Sequence, residues 1–348
     1  MALTSEIAQQ IVEAGTLAPS GDNMQPWVAT WRGETLHLSI DPARDQSLYN
    51  FKYRASLIAL GAMIENIVIA ARQFGLDTEI AFSPDGEWLL AAALRFHHRG
   101  GPQDALFGSI ARRCTNRKPY YARPVSREVL EQLRGSLPDD GLSTLQLIET
   151  EEDRRIVAKA ASVNDRLLFE IRQLHDGLFD CVRWTAKEAQ ETGDGLYAKT
   201  LELGATGPGF RAMRSWPMVR IANLMGASRT APFHSYRTFL RSPVFGFLRM
   251  QGVSRELFVE GGRRMQRVWL TITSLGLSFQ PMVGVLYLLP YLRSNAVALD
   301  PPQRALLVKA ETSLKRVISI DEGTAPILLF RFGYSEPPSA TSLRRVRG

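Results

Sequence analysis

The sequence predicts an α+β fold, and three features of its hydrophobic pattern predict it. Two long apolar stretches of helical length close on glycine, at Gly75 and Gly276. Short alternating runs come in pairs across turn residues, as 27–31 and 35–40 do around Arg32-Gly33. Each glycine-closed helix is followed by strand-like sequence and then by a second strand ending in Arg-Phe, at Arg95-Phe96 and Arg331-Phe332. With 348 residues, 45% of them apolar and 22% charged, the chain is an ordinary globular mixture, long enough for a large core. Length alone allows two units or one large one.

Taken in order, residues 5–17 read as a helix, followed by a breaker-rich loop over 18–27. The hairpin 27–31/35–40 follows, then the long helix 56–74. Strands at 78–82 and 88–96 flank Ser83-Pro84-Asp85-Gly86 as a second hairpin. After Gly100-Gly101 an Arg-rich turn of helix is expected over 110–117. A short helix over 126–133 opens on an N-cap Ser126. A strand at 142–148 and a mainly helical 151–188 come next. Residues 204–250 mix Gly, Pro and Arg with Trp216, Phe233, Tyr236, Phe239, Phe245 and Phe247, and read as a partly helical excursion, a lid or arm. A helix over 261–275, strands at 282–289 and 326–332, and a helix between them at 302–317 complete the pattern.

The net charge of +7 is carried by arginine, since only seven lysines are present: Lys52, Lys118, Lys159, Lys187, Lys199, Lys309 and Lys315. Arginine suits planar anions such as phosphate and carboxylate. Apart from a denser stretch near 211–249 the arginines are spread, which argues against general nucleic-acid binding. Cys114 and Cys181 are too few and too far apart for a disulfide framework or a cysteine zinc site. The start, MALTSEIAQQ, lacks a basic region followed by an apolar run, so no secretory signal is expected and a reducing, cytoplasmic compartment is the default. The uncharged stretch 268–292 has bilayer length, but Gln280-Pro281 at its middle would break a helix, so a membrane span is not expected.

Two stretches carry candidate chemistry. In Ala18-Pro19-Ser20-Gly21-Asp22-Asn23-Met24-Gln25-Pro26-Trp27, the prolines stiffen the backbone and Gly21 allows close approach. Ser20, Asn23 and Gln25 supply groups that can pair with a polar heterocycle edge, although a capped helix exit turning into a strand explains the same residues. In Arg112-Arg113-Cys114-Thr115-Asn116-Arg117-Lys118, Arg113, Thr115 and Arg117 can converge on one phosphate if the turn leaves helical geometry. A solvated basic helix end is the plain alternative. No dinucleotide or P-loop glycine motif is present. The histidines, His37, His97, His98, His175 and His234, form no metal spacing. Cys114 reads as a spacer in its motif.

Together these stretches resemble the nitroreductase-like flavoprotein superfamily. Residues 18–27 resemble its Ala-Pro-Ser loop, and 113–117 resemble its Arg-x-Ser-x-Arg phosphate motif with Thr115 in place of Ser. Residues 262–282 resemble its central helix and following turn. Gly333-Tyr334 with 339–345 resembles its closing arm, whose basic residue also reaches phosphate. Trp184 and Asp194-Gly195-Leu196 are similar to the long single-chain branch, which includes the dormancy-associated mycobacterial flavoproteins and the nitroreductase-like regions fused to ubiquitin-activating-type domains. The resemblance covers nearly the whole chain.

The resemblance implies a nitroreductase-like fold of two degenerate halves, 1–100 and 101–348, the second including the 204–250 lid. Residues 61–76 and 262–277 are the parallel helices of the two halves. In ordinary members two protomers share each flavin, one giving the Arg motif, the post-helix turn and the terminal basic residue, the other the Pro-Ser loop. Here each half keeps what the other lacks, which implies one FMN at the junction of an intramolecular pseudo-dimer. One chain then suffices for one flavin site, and further oligomerisation stays open. By this resemblance Arg113, Thr115, Arg117 and one of Arg344 or Arg345 meet the FMN phosphate. Pro19, Ser20, Gly21, Asn23 and Gln25 meet the isoalloxazine edge, and Gln280, Pro281 and Met282 line the ring. The turn Ser278-Phe279-Gln280-Pro281-Met282 lacks the acidic residue family members often carry, so no catalytic acid is named. The expected activity is an FMN-dependent oxidoreductase passing electrons between NAD(P)H and a small planar substrate, or dehydrogenating one. The alternative is a flavin-sequestering protein whose lid covers the FMN. A membrane-surface or partner-binding role for the Arg/aromatic stretch ranks below both.

Overall fold

The computed structural model describes residues 3–82, 90–98, 100–294 and 296–345. Helix α1 (Ser5–Thr16) opens on Thr4, whose hydroxyl accepts the Ile7 amide at 3.3 Å. Strands β1 (Trp27–Arg32) and β2 (Thr35–Ile40) turn at Gly33, whose φ of +60° suits glycine. Helix α2 (Arg54–Gln73) is apolar on nearly every face and is buried accordingly. Its run 51–73 is the helix long and apolar enough to cross a membrane among the described residues, and 94% of its most apolar window is packed inside the protein. Strands β3 (Leu76–Phe82) and β4 (Leu90–His98) complete an antiparallel sheet of order β1-β2-β4-β3. The turn expected at 83–86 and the start of the strand after it lie outside the described residues.

The second part begins with the single helical turn α3 (Phe107–Ile110), α4 (Arg127–Arg134) capped by Ser126, and strand β5 (Ser143–Ile148). A helical excursion follows: α5 (Glu151–Glu170), α6 (Arg172–Cys181), β6 (Val182–Arg183), α7 (Ala186–Thr192), β7 (Leu196–Tyr197) parallel to β6, α8 (Gly207–Ala212), α9 (Trp216–Leu224) and α10 (Ala227–Leu240). Strand β8 (Val244–Gln251), helix α11 (Arg255–Ser274), β9 (Ser278–Pro281), α12 (Gly284–Leu288), α13 (Pro301–Lys315) and β10 (Thr324–Gly333) close the chain. The second sheet runs β5-β8-β10-β9, again antiparallel throughout.

The two sheets are built on one plan. The order α1-β1-β2-α2-β3-β4 is repeated as α4-β5-β8-α11-β9-β10, with equivalent strand orders. Even the register repeats: Arg95 lies opposite Glu79, and Arg331 opposite Gln280. Gly75 and Gly276 close the two long helices at φ +70° and +71°. Where α2 and α11 cross, the contacts are reciprocal. A Cβ on Gly61 would lie 1.9 Å from the Val259 carbonyl oxygen, and one on Gly262 would lie 2.0 Å from that of Ile58. One turn further on, Arg267 donates to Glu65 at 2.7 Å and the Gln266 amide donates to Asn66 at 2.7 Å. In the repeat Gly61 matches Gly262, Ile58 matches Val259, and Glu65-Asn66 match Gln266-Arg267. Each contact thus occurs twice, as across a two-fold axis. The second unit differs by two insertions, 149–243 and 282–323, whose helices pack a separate apolar core against the second sheet.

Three expectations differ from the structure. Helix does not extend over 110–117; it stops at Ile110. The Asn116 amide instead donates to the Phe279 carbonyl at 2.8 Å, and its side chain bonds Ser278 Oγ and the Glu336 carbonyl, which pulls this stretch onto the edge of β9. The run 282–289, read as a strand, is mostly helix α12, because the sheet ends at Pro281 and an all-apolar run serves a buried helix equally well. The excursion ends before 250: Val244–Gln251 is a central strand, between β5 and β10.

Candidate functional site

A cavity of about 1020 Å³ opens at the junction of the two units. Its walls come from the loop after α1, the stretch 113–117, the end of β9, the middle of α11, helices α5, α8 and α10, and the C-terminal arm near 340–344. Pro19, Ser20, Gly21, Asn23, Arg113, Thr115, Arg117, Gln280, Pro281, Met282 and Arg344 all line it; Gln25 and Arg345 do not.

The loop 18–27 has an unusual backbone, with Asp22, Asn23 and Gln25 at φ +45°, +58° and +53°. Such conformations persist only when over-determined by their surroundings. Here the Ser20 hydroxyl accepts the Gln25 amide at 2.9 Å. The Asn23 side chain donates to the Gly195 and Leu343 carbonyls and accepts from Arg344. The Gln25 amide donates to the Gly193 carbonyl and accepts from the Arg345 backbone N–H. Gly193 is required, since a Cβ there would lie 2.6 Å from the Arg344 carbonyl oxygen. The amides of Asn23 and Gln25, expected at a ligand edge, are therefore committed to tying the loop to residues 193–195 and to the arm. Arg345 likewise turns away to pair with Asp194. The Met282 backbone N–H donates to the Leu329 carbonyl at 2.7 Å, and the Gln280 side chain accepts from Arg331.

One pole of the cavity is cationic. Arg113 donates to the Leu17 carbonyl at 3.0 Å, and Arg344 to those of Thr16, Leu17 and Ala18 at 3.0–3.1 Å. Both thus sit on the carbonyl end of α1, where a helix favours positive charge. Arg117 donates to the Thr200 carbonyl at 2.9 Å. None of the three pairs with a carboxylate among the described residues. Burial, then repulsion from Arg344, pushes Arg113 down to about 9; burial pushes Arg344 to about 10. Burial also lowers Arg117, against the opposing pull of Asp22 and Glu202. Arg113 Nε and Trp269 Nε1 are buried donors without a partner, and the guanidinium lies 4.6 Å from the indole centre. Burial raises the Cys114 thiol, consistent with an inert spacer.

Carboxylates line the cavity as well, Asp22 close enough to Arg117 to feel its charge, which the residue types alone did not suggest. Burial and the neighbouring Asp45 raise Asp22 to about 6, and burial raises Asp165 to about 6 and lifts Asp45. Tyr49 stands near Asp22 and Asp165 and donates to Asn164 Oδ1 at 2.8 Å. Gly284 makes room for that amide, which a Cβ would meet at 2.4 Å. Asp22 lay inside the loop motif; Asp45, Tyr49, Asn164 and Asp165 had no local signal.

No family model matches the chain. The uncharacterized protein MT1398 of Mycobacterium tuberculosis (strain CDC 1551 / Oshkosh) is 26% identical over an alignment of 351 residues, covering 99% of this chain and 47% of that protein. The chain therefore spans about half the length of this curated relative. The chain is similar to nitroreductase-like proteins of solved structure. The nitroreductase-like family protein from Bacillus cereus shares 12% identity over 71% of this chain and 94% of its own, at a TM-score of 0.34. The FMN and NADPH-dependent nitroreductase NfnB from sphigopyxis sp. strain HMH shares 16% over 70% and 96%, at 0.37. A nitroreductase with bound FMN from Bacteroides fragilis NCTC 9343 shares 11% over 70% and 96%, at 0.34. Identities and scores this low say nothing of activity, so function is read from the cavity.

Proposed function

We propose that the chain is an FMN-dependent oxidoreductase of nitroreductase-like type, an intramolecular pseudo-dimer with one flavin site where the units 1–100 and 101–348 meet. The observation that carries this reading is the cluster of Arg113, Arg117 and Arg344, the first buried and the other two half-buried, none in an ion pair with a carboxylate among the described residues and with Arg113 Nε unpartnered. Three cations held this way lack a dianion, and Thr115 adds a hydroxyl beside them. The donor set fits a phosphate. Asn23 and Gln25 act as braces that hold the loop and arm, leaving Pro19, Ser20 and Gly21 as the loop's cavity surface.

When bound, FMN supplies hydride and electron transfer between NAD(P)H and a small planar acceptor. The chain's part is to bind, orient and exclude water. Arg113, Arg117 and Arg344 hold the anionic end, and Trp269 presents a free indole donor. Asp22 and Asp165, protonated below about pH 6, hold protons at carboxyl oxygens beside the cavity and can pass one to an acceptor. A second reading, flavin sequestration, is favoured by one observation: Phe210 and Thr238 of the helical excursion wall the same cavity.

The test is anaerobic mixing of the FMN-loaded chain with NADH or NADPH. Bleaching of the flavin bands within seconds supports the oxidoreductase; no bleaching over minutes supports sequestration. Replacing Arg113 and Arg117 with Ala abolishes flavin retention on either reading, and unchanged flavin content refutes the phosphate assignment.

A further inference from the structure

The arginines of the helical excursion have no role in the cavity. Between Glu202 and Glu256 the sequence has no acidic residue and eight arginines. Six of these, Arg211, Arg214, Arg220, Arg229, Arg237 and Arg241, are exposed, and none is in an ion pair among the described residues. Apolar side chains stand out among them. Leu224 is 89% exposed, Met225 81%, Phe233 62% and Ile221 55%. They occupy one region: Met218, Ile221 and Met225 recur at helical spacing on the outer side of α9, opposite buried Val219 and Ala222, and Leu224-Met225 form the tip before Gly226. Along α10 and its C-cap, Arg229, Phe233, Arg237 and Arg241 are spaced by four residues and share a stripe.

We propose that the α9–α10 hairpin docks the protein on an anionic lipid surface, with Leu224, Met225 and Phe233 entering the interface and the arginines meeting lipid phosphates. Protruding aliphatic side chains at a tip, ringed by arginine, suit a bilayer, which accepts any shape and binds guanidinium at its headgroups. A second copy of the chain fits poorly, since an isologous contact would set six arginines against six with no acid between them. Nucleic acid would be met by flat aromatic faces, whereas the most exposed groups here are Leu224 and Met225. Docking also has a consequence for the cavity. Thr230, Ala231 and His234 on the adjoining face of α10 line it, so a docked hairpin holds the cavity mouth near the lipid.

The inference is independent of what the cavity binds. It is tested by co-sedimentation of the whole chain with vesicles of phosphatidylcholine, alone or with about one third phosphatidylserine, at physiological salt. The expected result is binding to the anionic vesicles and far less to the neutral ones. Replacing Arg220, Arg229 and Arg237 with Ala weakens it by about fivefold per arginine, roughly a hundredfold in all. Leu224→Asp with Met225→Asp weakens it at least as much. All five positions are exposed, so melting temperatures stay at the parent value, which separates lost docking from lost fold. Three results overturn the proposal: no preference for anionic vesicles, binding that survives both sets of substitutions, or a concentration-dependent dimer abolished by the Leu224/Met225 pair in a chain that ignores vesicles.

Discussion

Replacing Arg113 with Met has opposite consequences for the flavin-free and flavin-bound protein. Without an anion, the folded chain keeps this guanidinium charged in a site that lowers its pKa from 12.5 to about 9. At pH 7, below both values, the whole of that penalty is present, and it is relieved only as pH rises past about 9. At about 1.4 kcal/mol per pKa unit it amounts to roughly 4–5 kcal/mol. The bond to the Leu17 carbonyl and the contact with Trp269 return about 2–3 kcal/mol. Methionine keeps the apolar stem and drops the charge, so the flavin-free variant gains about 1–3 kcal/mol. With FMN the sign reverses. Two charge-assisted bonds to phosphate are lost, at about 1.5–3 kcal/mol each, so affinity falls at least about a hundredfold. Urea unfolding with and without FMN, followed by tryptophan fluorescence, reads both effects. A variant less stable without FMN that still binds FMN like the parent would refute the reasoning.

Asp22→Asn suits the left-handed φ of +45° and removes a carboxylate raised from 3.8 to about 6. The native fold holds this proton longer than the unfolded chain, so parental stability falls as pH rises from about 4 to 6; the variant gains about 3 kcal/mol at pH 8 and almost nothing at pH 4, read from melting against pH. Gly262→Ala puts a Cβ 2.0 Å from the Ile58 carbonyl oxygen and costs about 3 kcal/mol or more; reciprocal Gly61→Ala matches it, and unequal costs in urea would count against the two-fold packing. Gly193→Ala crowds the Arg344 carbonyl at φ +61°, so FMN affinity falls about tenfold for a stability cost near 1 kcal/mol; equal FMN titrations would remove the arm from the site.

Much of this molecule was legible because its information is local. Gly75 and Gly276 mark where two equivalent helices stop, and the Arg-Phe pairs marked a repeat whose register the sheets reproduce. Residue types made the two stretches that meet at the cavity candidates, and the family resemblance singled them out. What was not legible depends on distant partners. The chain leaves helix after Ile110 because Asn116 is held by Ser278 and Glu336, 162 and 220 residues away. Asn23 and Gln25 have the right chemistry for a ligand edge, but carbonyls at 193, 195 and 343 consume it. The choice between Arg344 and Arg345 turned on Asp194, which claims the second. The acids Asp45 and Asp165 join the cavity only through tertiary packing.

The central claim is one flavin site made jointly by two like units of a single chain. Native mass spectrometry of the 38.9 kDa chain titrated with FMN tests it most directly. The account predicts a monomer that saturates at one FMN and loses it when Arg113 and Arg117 are replaced. A monomer that takes up none, or FMN bound only by dimers at two per pair, would contradict it.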